Sequence, residues 1–166
     1  MTVSTGRILA AALLSAGLAT TGCPSAYDRA YEGETQRLEA EQQQRDEQER
    51  AAHAEASKYA AVVYFDTGSA VIKEAGYREL GWFADKMRPF PQVSILIQGF
   101  ADATGGDALN QKLSEQRAEA VAKHLATLGI ASPRLVVQGF ASEFPAAPNE
   151  TSKGRLDNRR VEVTVR

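Results

Sequence analysis

The stretch GFADATGGDALNQKLSEQRAEAV, residues 99–121, predicts a turn from a strand into a helix, and the fold of this chain follows from that turn. Just before it, residues 93–99 read VSILIQG, a nearly continuous apolar run typical of a strand covered on both faces. Gly105 and Gly106 then predict a loop, and residues 110–128 carry apolar residues at helical spacing. A polar loop therefore joins a buried strand to a helix.

Similar elements flank this turn on both sides. Upstream, residues 61–65 (AVVYF) predict a buried strand, and residues 70–87 predict a helix with Ser69 as candidate N-cap. Downstream, residues 134–139 (RLVVQG) predict a third strand, and residues 160–166 (RVEVTVR) alternate as a half-exposed last strand.

The order strand, helix, strand, helix, strand, strand predicts the α+β class, with a small mixed sheet and the helices packed on one face. The two crossovers predict parallel neighbouring strands, and the last two strands are expected to form a hairpin with a long loop. Of the 44 apolar residues larger than alanine, 33 lie in residues 59–166, so one domain holds the core. This organisation excludes a two-domain enzyme with a cleft between its domains.

Composition excludes several other function classes. The net charge of −2 argues against a nucleic-acid binder that depends on overall positive charge. One cysteine rules out an intrachain disulfide, and two histidines, His53 and His124, are too few for a histidine-based metal cluster. No cofactor or metal is predicted.

The N-terminal residues 1–22 have the layout of a secretory signal peptide. Residues 8–19 (ILAAALLSAGLA) form an apolar run of twelve residues, shorter than the roughly 20 that cross a bilayer as a helix. Cleavage is predicted before Cys23. The alternative is ordinary cleavage after Ala19, with a coincidental cysteine nearby.

The sequence around Cys23 resembles the lipobox of bacterial lipoproteins, although Thr20 stands where that motif usually has leucine. The resemblance implies that Cys23 is lipidated. Because Pro24, not aspartate, follows the cysteine, it also implies retention at the outer membrane, facing the periplasm.

Residues 23–58 are predicted to be a polar spacer between the anchor and the domain at residues 59–166. Residues 28–58 hold nine acidic and five basic side chains and are rich in good helix formers. Within residues 28–58 the only apolar residues larger than alanine are Tyr31 and Leu38, so no heptad seam is present. The spacer is therefore expected to be partly helical or disordered.

Polar residues follow two of the predicted strands. Asp102 comes just past the carboxyl end of a buried strand, where open sheets place binding groups, and Arg117 lies on the next helix. The two are expected to face one pocket, and Asp66 lies near the end of the first strand. The alternative is that Asp102 only caps the loop and Arg117 is solvated. Arg159 and Arg160 are each expected to form a salt bridge on the sheet.

At these motifs the chain resembles the OmpA-like peptidoglycan-binding domains of OmpA C-terminal regions, Pal lipoproteins and MotB-type stator proteins. The resemblance rests on FDTGS at 65–69, GFAD at 99–102, NQKLSEQRAEAV at 110–121, QGF at 138–140 and NETSKGRLDNRRVEV at 149–163. Because these motifs occur in the family's order over residues 59–166, together they are specific where each alone would be weak.

The resemblance implies that the ligand is the meso-diaminopimelate of peptidoglycan stem peptides and that Asp102 and Arg117 are the central pair. An aspartate accepts from the ligand's ammonium, and an arginine fork holds its carboxylate through two parallel donors. The further expected ligand-binding residues are Phe65, Asp66, Ala101, Asn110 and Leu113. Asp66 either orients the loop or only forms its turn, Asn110 caps the helix with or without shaping the pocket, and Leu113 is core or pocket wall.

The leading functional hypothesis is a non-enzymatic, lipid-anchored protein that ties the outer membrane to the cell wall. The alternative is an envelope adaptor whose main role is to bind a protein partner, as in Tol-like systems, with wall binding secondary. An enzyme is the third hypothesis, and wall hydrolysis by paired carboxylates is its only candidate reaction. No nucleic-acid partner is expected.

Overall fold

A computed structural model describes residues 25–166. The predicted signal peptide and Cys23 lie outside the described residues. The described residues divide into two units, one that ends at residue 41 and one that spans residues 42–166. In the described range, no helix combines the length and apolar character needed to cross a membrane.

Helix α1 spans Ala26–Ala56, so the predicted spacer is helical over most of its length. In the first unit its apolar side chains Tyr27, Tyr31 and Leu38 are exposed. In the second unit Ala56 is fully buried in the core, and His53 Nε2 lies 2.8 Å from the carbonyl oxygen of Arg166. The last turns of this helix therefore pack with the domain that follows them.

The remaining elements alternate strands with helices. They are β1 (Ala61–Tyr64), α2 (Glu74–Met87), β2 (Ile95–Gly99), α3 (Asp107–Thr127), β3 (Leu135–Gly139), α4 (Ser152–Asn158) and β4 (Arg160–Val165), with a 3-10 turn at Ser132–Arg134 before β3. The sequence patterns predicted every one of these strands. Helix α4 was not predicted.

The four strands form one mixed sheet in the order β1-β4-β2-β3. β4 is antiparallel to both β1 and β2, and β3 is parallel to β2. The α+β class with a mixed sheet is confirmed. The prediction of parallel neighbours holds for β2 and β3 but is wrong for β1 and β2, which β4 separates, and the predicted hairpin of the last two strands is also wrong. β4 instead lies between β1 and β2, and its Val161 and Val163 are fully buried.

One hydrophobic core lies between the sheet and helices α2 and α3. Alternate strand residues such as Val63, Ile97 and Val163 are buried on the face that these helices cover. The helices contribute Leu80, Phe83, Val121 and Leu125, all fully buried. Burying each such side chain contributes about 1.5–3 kcal/mol, so this layer holds the strand ends in place.

Helices α2 and α3 both begin at residues other than those that the sequence predicts. α2 begins at Glu74, and Ser69 instead accepts the Val71 N–H in the preceding turn, at 3.1 Å. α3 begins at Asp107 with Gly106 as N-cap, so the prediction of Asn110 as N-cap is wrong. Asp107 suits the first turn because its negative charge interacts favourably with the helix dipole.

Gly99 allows the end of β2 to approach α3 closely. A Cβ at this position would lie 2.0 Å from the Ser114 carbonyl oxygen. Gly76 is similarly constrained, since its Cβ would lie 2.7 Å from Val63 Cγ1, whereas Gly81 has open space around it. Close packing therefore accounts for Gly76 but not for Gly81.

Candidate functional site

The sheet topology brings three chain segments together at one end of the sheet. β1 and β2 both end there, and β4 begins there because it runs antiparallel to both. The loops after β1 and β2 carry Asp66 and Asp102, and Arg159 directly precedes β4. Residues far apart in the chain thus meet over the first turns of α3.

A small cavity lies between these segments, with a volume of about 160 Å³. That is about five times the ~30 Å³ that a water molecule occupies in the liquid, enough for a small polar head group. Its lining residues are Thr67, Gly68, Ala101, Asp102, Thr104, Gly105, Leu109, Asn110, Leu113, Arg117 and Arg159. The predicted placement of Asp102 and Arg117 at one pocket agrees with this geometry.

The Asp102 carboxylate is buried, with 5% of the residue exposed. Its Oδ2 accepts from Arg159 Nη1 at 2.8 Å, and its Oδ1 accepts from the Thr104 N–H at 2.9 Å. Burial alone would raise the pKa of Asp102, but the hydrogen bonds from Arg159 and Thr104 outweigh it and hold the pKa below its usual value. The carboxylate is therefore ionised at neutral pH, and two of its roughly four acceptor positions are occupied.

Arg117 is fully buried and binds backbone carbonyls from two loops. Nε donates to Ser69 O at 2.9 Å, and Nη2 donates to Asp66 O at 3.0 Å, both in the loop after β1. Nη1 donates to Phe100 O, at the end of β2, at 3.0 Å. The side chain thus joins the β1–α2 loop to the β2–α3 loop, and these bonds use three of its five N–H groups.

Arg117 remains a cation at neutral pH despite its burial. Burial lowers its pKa to about 10, the positive charge of Arg159 acts in the same direction, and Asp102 opposes both. These three side chains together place two positive charges and one negative charge around the cavity. The surplus positive charge favours a ligand that carries a carboxylate.

Arg159 is the second cation of the site and is slightly exposed, with 12% of its side chain accessible. Its Nε donates to Phe65 O at 3.1 Å, and its Nη1 pairs with Asp102. The predicted salt bridge of Arg159 therefore exists, but it lies inside the cavity. The salt bridge of Arg160 is with Glu162, its neighbour but one on β4, at 2.6 Å.

The long loop between β3 and α4 supports the cavity from one side. Ala141 has a φ of 43°, a strained conformation for a residue other than glycine. Its N–H donates to Ser114 Oγ at 3.1 Å, and its carbonyl accepts the Ala101 N–H at 2.6 Å. Asn149 Oδ1 accepts the Ala103 N–H at 3.0 Å. These contacts hold the backbone on both sides of Asp102.

Comparison with known families agrees with this fold. A model described as the OmpA family matches residues 64–159, more than half of the chain. The chain belongs to the OmpA family. The matched range contains all of the cavity-lining residues.

Curated and solved members of the OmpA family resemble the same region. The chain is 41% identical over 103 residues to the probable lipoprotein YiaD of Escherichia coli, and this match covers 62% of the chain and 47% of YiaD. It is 38% identical over 103 residues to the peptidoglycan-binding protein ArfA of Mycobacterium tuberculosis, covering 62% of this chain and 32% of ArfA. The matches thus span less than half the length of these relatives.

The crystal structure of the peptidoglycan-associated lipoprotein from Burkholderia pseudomallei is similar with a TM-score of 0.62 and 30% identity. The similarity covers 64% of this chain and 90% of that structure. The family and fold class predicted from the motifs are therefore confirmed.

Three of the other residues expected from the OmpA family motifs lie at the cavity. Ala101 and Leu113 line it, and Asn110 Nδ2 donates to the Asp102 carbonyl oxygen at 3.2 Å. Asn110 is 3% exposed, so it shapes the wall by fixing the Asp102 backbone.

Phe65 and Asp66 do not line the cavity with their side chains. Phe65 is buried, with its ring centroid 5.4 Å from the Arg117 guanidinium carbon, and its carbonyl accepts from Arg159. The exposed Asp66 carboxylate pairs with Lys73 at 2.5 Å. Both residues instead support the site through the backbone carbonyls that bind the two arginines.

Proposed function

We propose that this chain is a non-enzymatic module that binds peptidoglycan by holding the amino-acid head of meso-diaminopimelate in the cavity beside Asp102. Membership of the OmpA family and the similarity to ArfA and to the peptidoglycan-associated lipoprotein support this function. The observation that carries it is the buried, ionised Asp102 between two arginines at a small cavity.

The charges of the cavity complement those of the ligand head. The head carries an ammonium and a carboxylate on one carbon. Asp102 keeps acceptor positions beyond its bonds to Arg159 and Thr104, and the ammonium supplies three donors to reach them. Such charge-assisted hydrogen bonds are roughly twice as strong as neutral ones.

The two arginines serve the ligand carboxylate at different depths. Arg159 bonds to Phe65 O and Asp102 through two of its five N–H groups and is partly accessible, so it meets the carboxylate first. Arg117 lies fully buried and supplies a fixed positive charge and its two remaining N–H groups. The central pair expected from the motifs thus becomes a group of three side chains.

Anchoring completes the proposal. Lipidation of Cys23 would place the domain at the outer membrane, facing the periplasm, with residues 23–58 as spacer. The name of the relative YiaD, a probable lipoprotein, supports this arrangement. Fixing the domain near the wall raises its effective concentration, so weak binding at one cavity still gives durable attachment.

A competition experiment tests the ligand. The full chain is bound to purified sacculi, and stem tripeptides ending in meso-diaminopimelate or in lysine are added at equal concentrations. The two peptides differ by the one carboxylate that the arginines are proposed to hold. We expect the diaminopimelate peptide to release the protein at concentrations at least about tenfold lower, since a charge-assisted bond contributes about 1.5–3 kcal/mol. Equal competition by the lysine peptide would contradict the proposed ligand.

The lowered pKa of Asp102 predicts how its ion pair depends on pH. A carboxyl whose pKa is depressed in the folded state contributes stability above its unfolded pKa of about 3.9, and this stability is lost as the pH falls through the folded value. The melting-temperature gap between wild type and Asp102→Asn should therefore stay constant from pH 7 to 5 and narrow only below about pH 4. A gap that closes between pH 7 and 5 would show that the pKa is raised instead.

A further inference from the structure

β3 is an edge strand, and one side of its backbone has no strand partner among the described residues. The Phe140 N–H donates to Gly99 O of β2, whereas the Gly139 carbonyl accepts from Gln111 Nε2 on α3. In a strand the N–H and C=O of one residue point to the same side, and successive residues alternate between the two sides. Because Phe140 points toward β2, the N–H and C=O groups of Val137 and Gly139 point away from β2. Val137 is 38% exposed.

The open edge lacks three of the devices that prevent strand addition in natural sheets. Natural edge strands carry lysine, proline or a bulge. β3 reads LVVQG, with neither lysine nor proline, and pairs in continuous register with β2 from Leu135 to Gly139. It therefore offers a regular template for another strand.

An acidic stripe of α3 runs beside this edge. Gln111, Glu115 and Glu119 recur every four residues and line a groove with Val137 and Gly139. Glu115 accepts from the neutral amide of Gln111 at 2.6 Å, so that bond leaves its negative charge uncompensated. The groove thus combines strand N–H groups that have no strand partner with negative charge, while Gln111 occupies the Gly139 carbonyl.

Lys123 is the basic neighbour of this stripe. Its Nζ lies 3.7 Å from Glu119, and both side chains are more than half exposed. An exposed pair of this kind is weak, about 0.2–1 kcal/mol, so it is readily exchanged for a bound cation.

We propose that the β3 edge binds an extended segment of a protein partner, which adds as a fifth strand and places basic side chains against Glu115 and Glu119. Backbone hydrogen bonds supply affinity in this mode of recognition, and the charges select the partner. A second copy of the chain is disfavoured, because pairing two β3 edges would bring two acidic stripes together on one face of the sheet. The site shares no residue with the cavity and is independent of wall binding.

Amide NMR of the labelled full chain tests the proposal, with the capped peptide KVKVKVK as probe and EVEVEVE as matched control. We expect the basic peptide to shift the Val137 and Gly139 amides saturably and to slow their hydrogen exchange. The variant with Glu115→Gln and Glu119→Gln should bind about tenfold more weakly, since two exposed charge pairs are lost.

Val137→Pro removes an outward N–H while leaving the bonds to β2, so it should abolish the slowed exchange at Gly139. Circular dichroism first checks that the Val137→Pro variant is folded. If it is not, the variant with Glu115→Gln and Glu119→Gln decides the result. Three outcomes would overturn the proposal: equal shifts with EVEVEVE, no saturable shift on β3, or β3 shifts that grow with protein concentration without peptide, which would assign the edge to a second copy.

Discussion

Replacing Asp102 with alanine is expected to weaken binding to purified sacculi by about 100-fold or more. At least two charge-assisted bonds to the ligand ammonium would be lost, each contributing about 1.5–3 kcal/mol. The substitution also leaves the Arg159 guanidinium without its carboxylate partner in a largely buried position. Co-sedimentation of the full chain with sacculi over a range of protein concentrations measures the change.

Asp107→Ala is the matched control for Asp102→Ala. Asp107 is an exposed aspartate at the start of α3, five residues further along the chain, and does not line the cavity. Its replacement should change sacculus binding less than about twofold, because an exposed charge at a helix start contributes about 0.3–1 kcal/mol to stability and none to the proposed contact. Similar binding losses in both variants, or wild-type binding by Asp102→Ala, would contradict the site.

Replacing Arg117 with alanine should destabilise the domain by about 3–5 kcal/mol. The carbonyls of Asp66, Ser69 and Phe100 would lose their donor in a buried region, and each unsatisfied group costs about 1–3 kcal/mol. The melting temperature should then fall by about 10–20 °C. Arg117→Lys should recover only part of this lost stability, because the lysine ammonium lacks the planar fork of donors with which the guanidinium reaches three separated carbonyls.

Arg78→Ala is the control for Arg117→Ala. Arg78 lies on α2 with 72% of its side chain exposed and approaches Glu74 at 4.0 Å. Removing it should change the unfolding free energy by less than about 0.5 kcal/mol. If instead Arg117→Ala melts within a few degrees of wild type while sacculus binding is lost, Arg117 binds ligand without holding the loops together.

Much of the fold could be predicted because its signals are local. Apolar runs such as residues 93–99 marked the strands, and helical spacing marked α2 and α3. Strand pairing is not local, which is why the hairpin prediction failed. Helix α4 has no apolar periodicity to reveal it. It depends on Thr151 Oγ1, which accepts the Gly154 N–H at 2.9 Å, and on the close approach of Gly154 to Pro148.

The difference between local signals and non-local strand pairing also explains which site residues could be predicted. Asp102 could be found because it follows a buried strand, and Arg117 because it lies on the next helix. The pairing of Arg159 with Asp102 could not be predicted, because it depends on β4 lying between β1 and β2. The family motifs included Arg159 within GRLDNRR, but nothing local in that segment points to a partner 57 residues earlier.

The central place of β4 also determines the order in which this domain can fold. Within the described chain β1 pairs only with β4, and Ala61 lies opposite Val163 in this pair. During synthesis, β1 and β2 are made while the strand that joins them is still missing. Such long-range closure slows folding, since the entropy of the intervening loop is lost before the contact forms. The nascent domain therefore stays open until its last described strand emerges, and the ion pair of Asp102 forms only then.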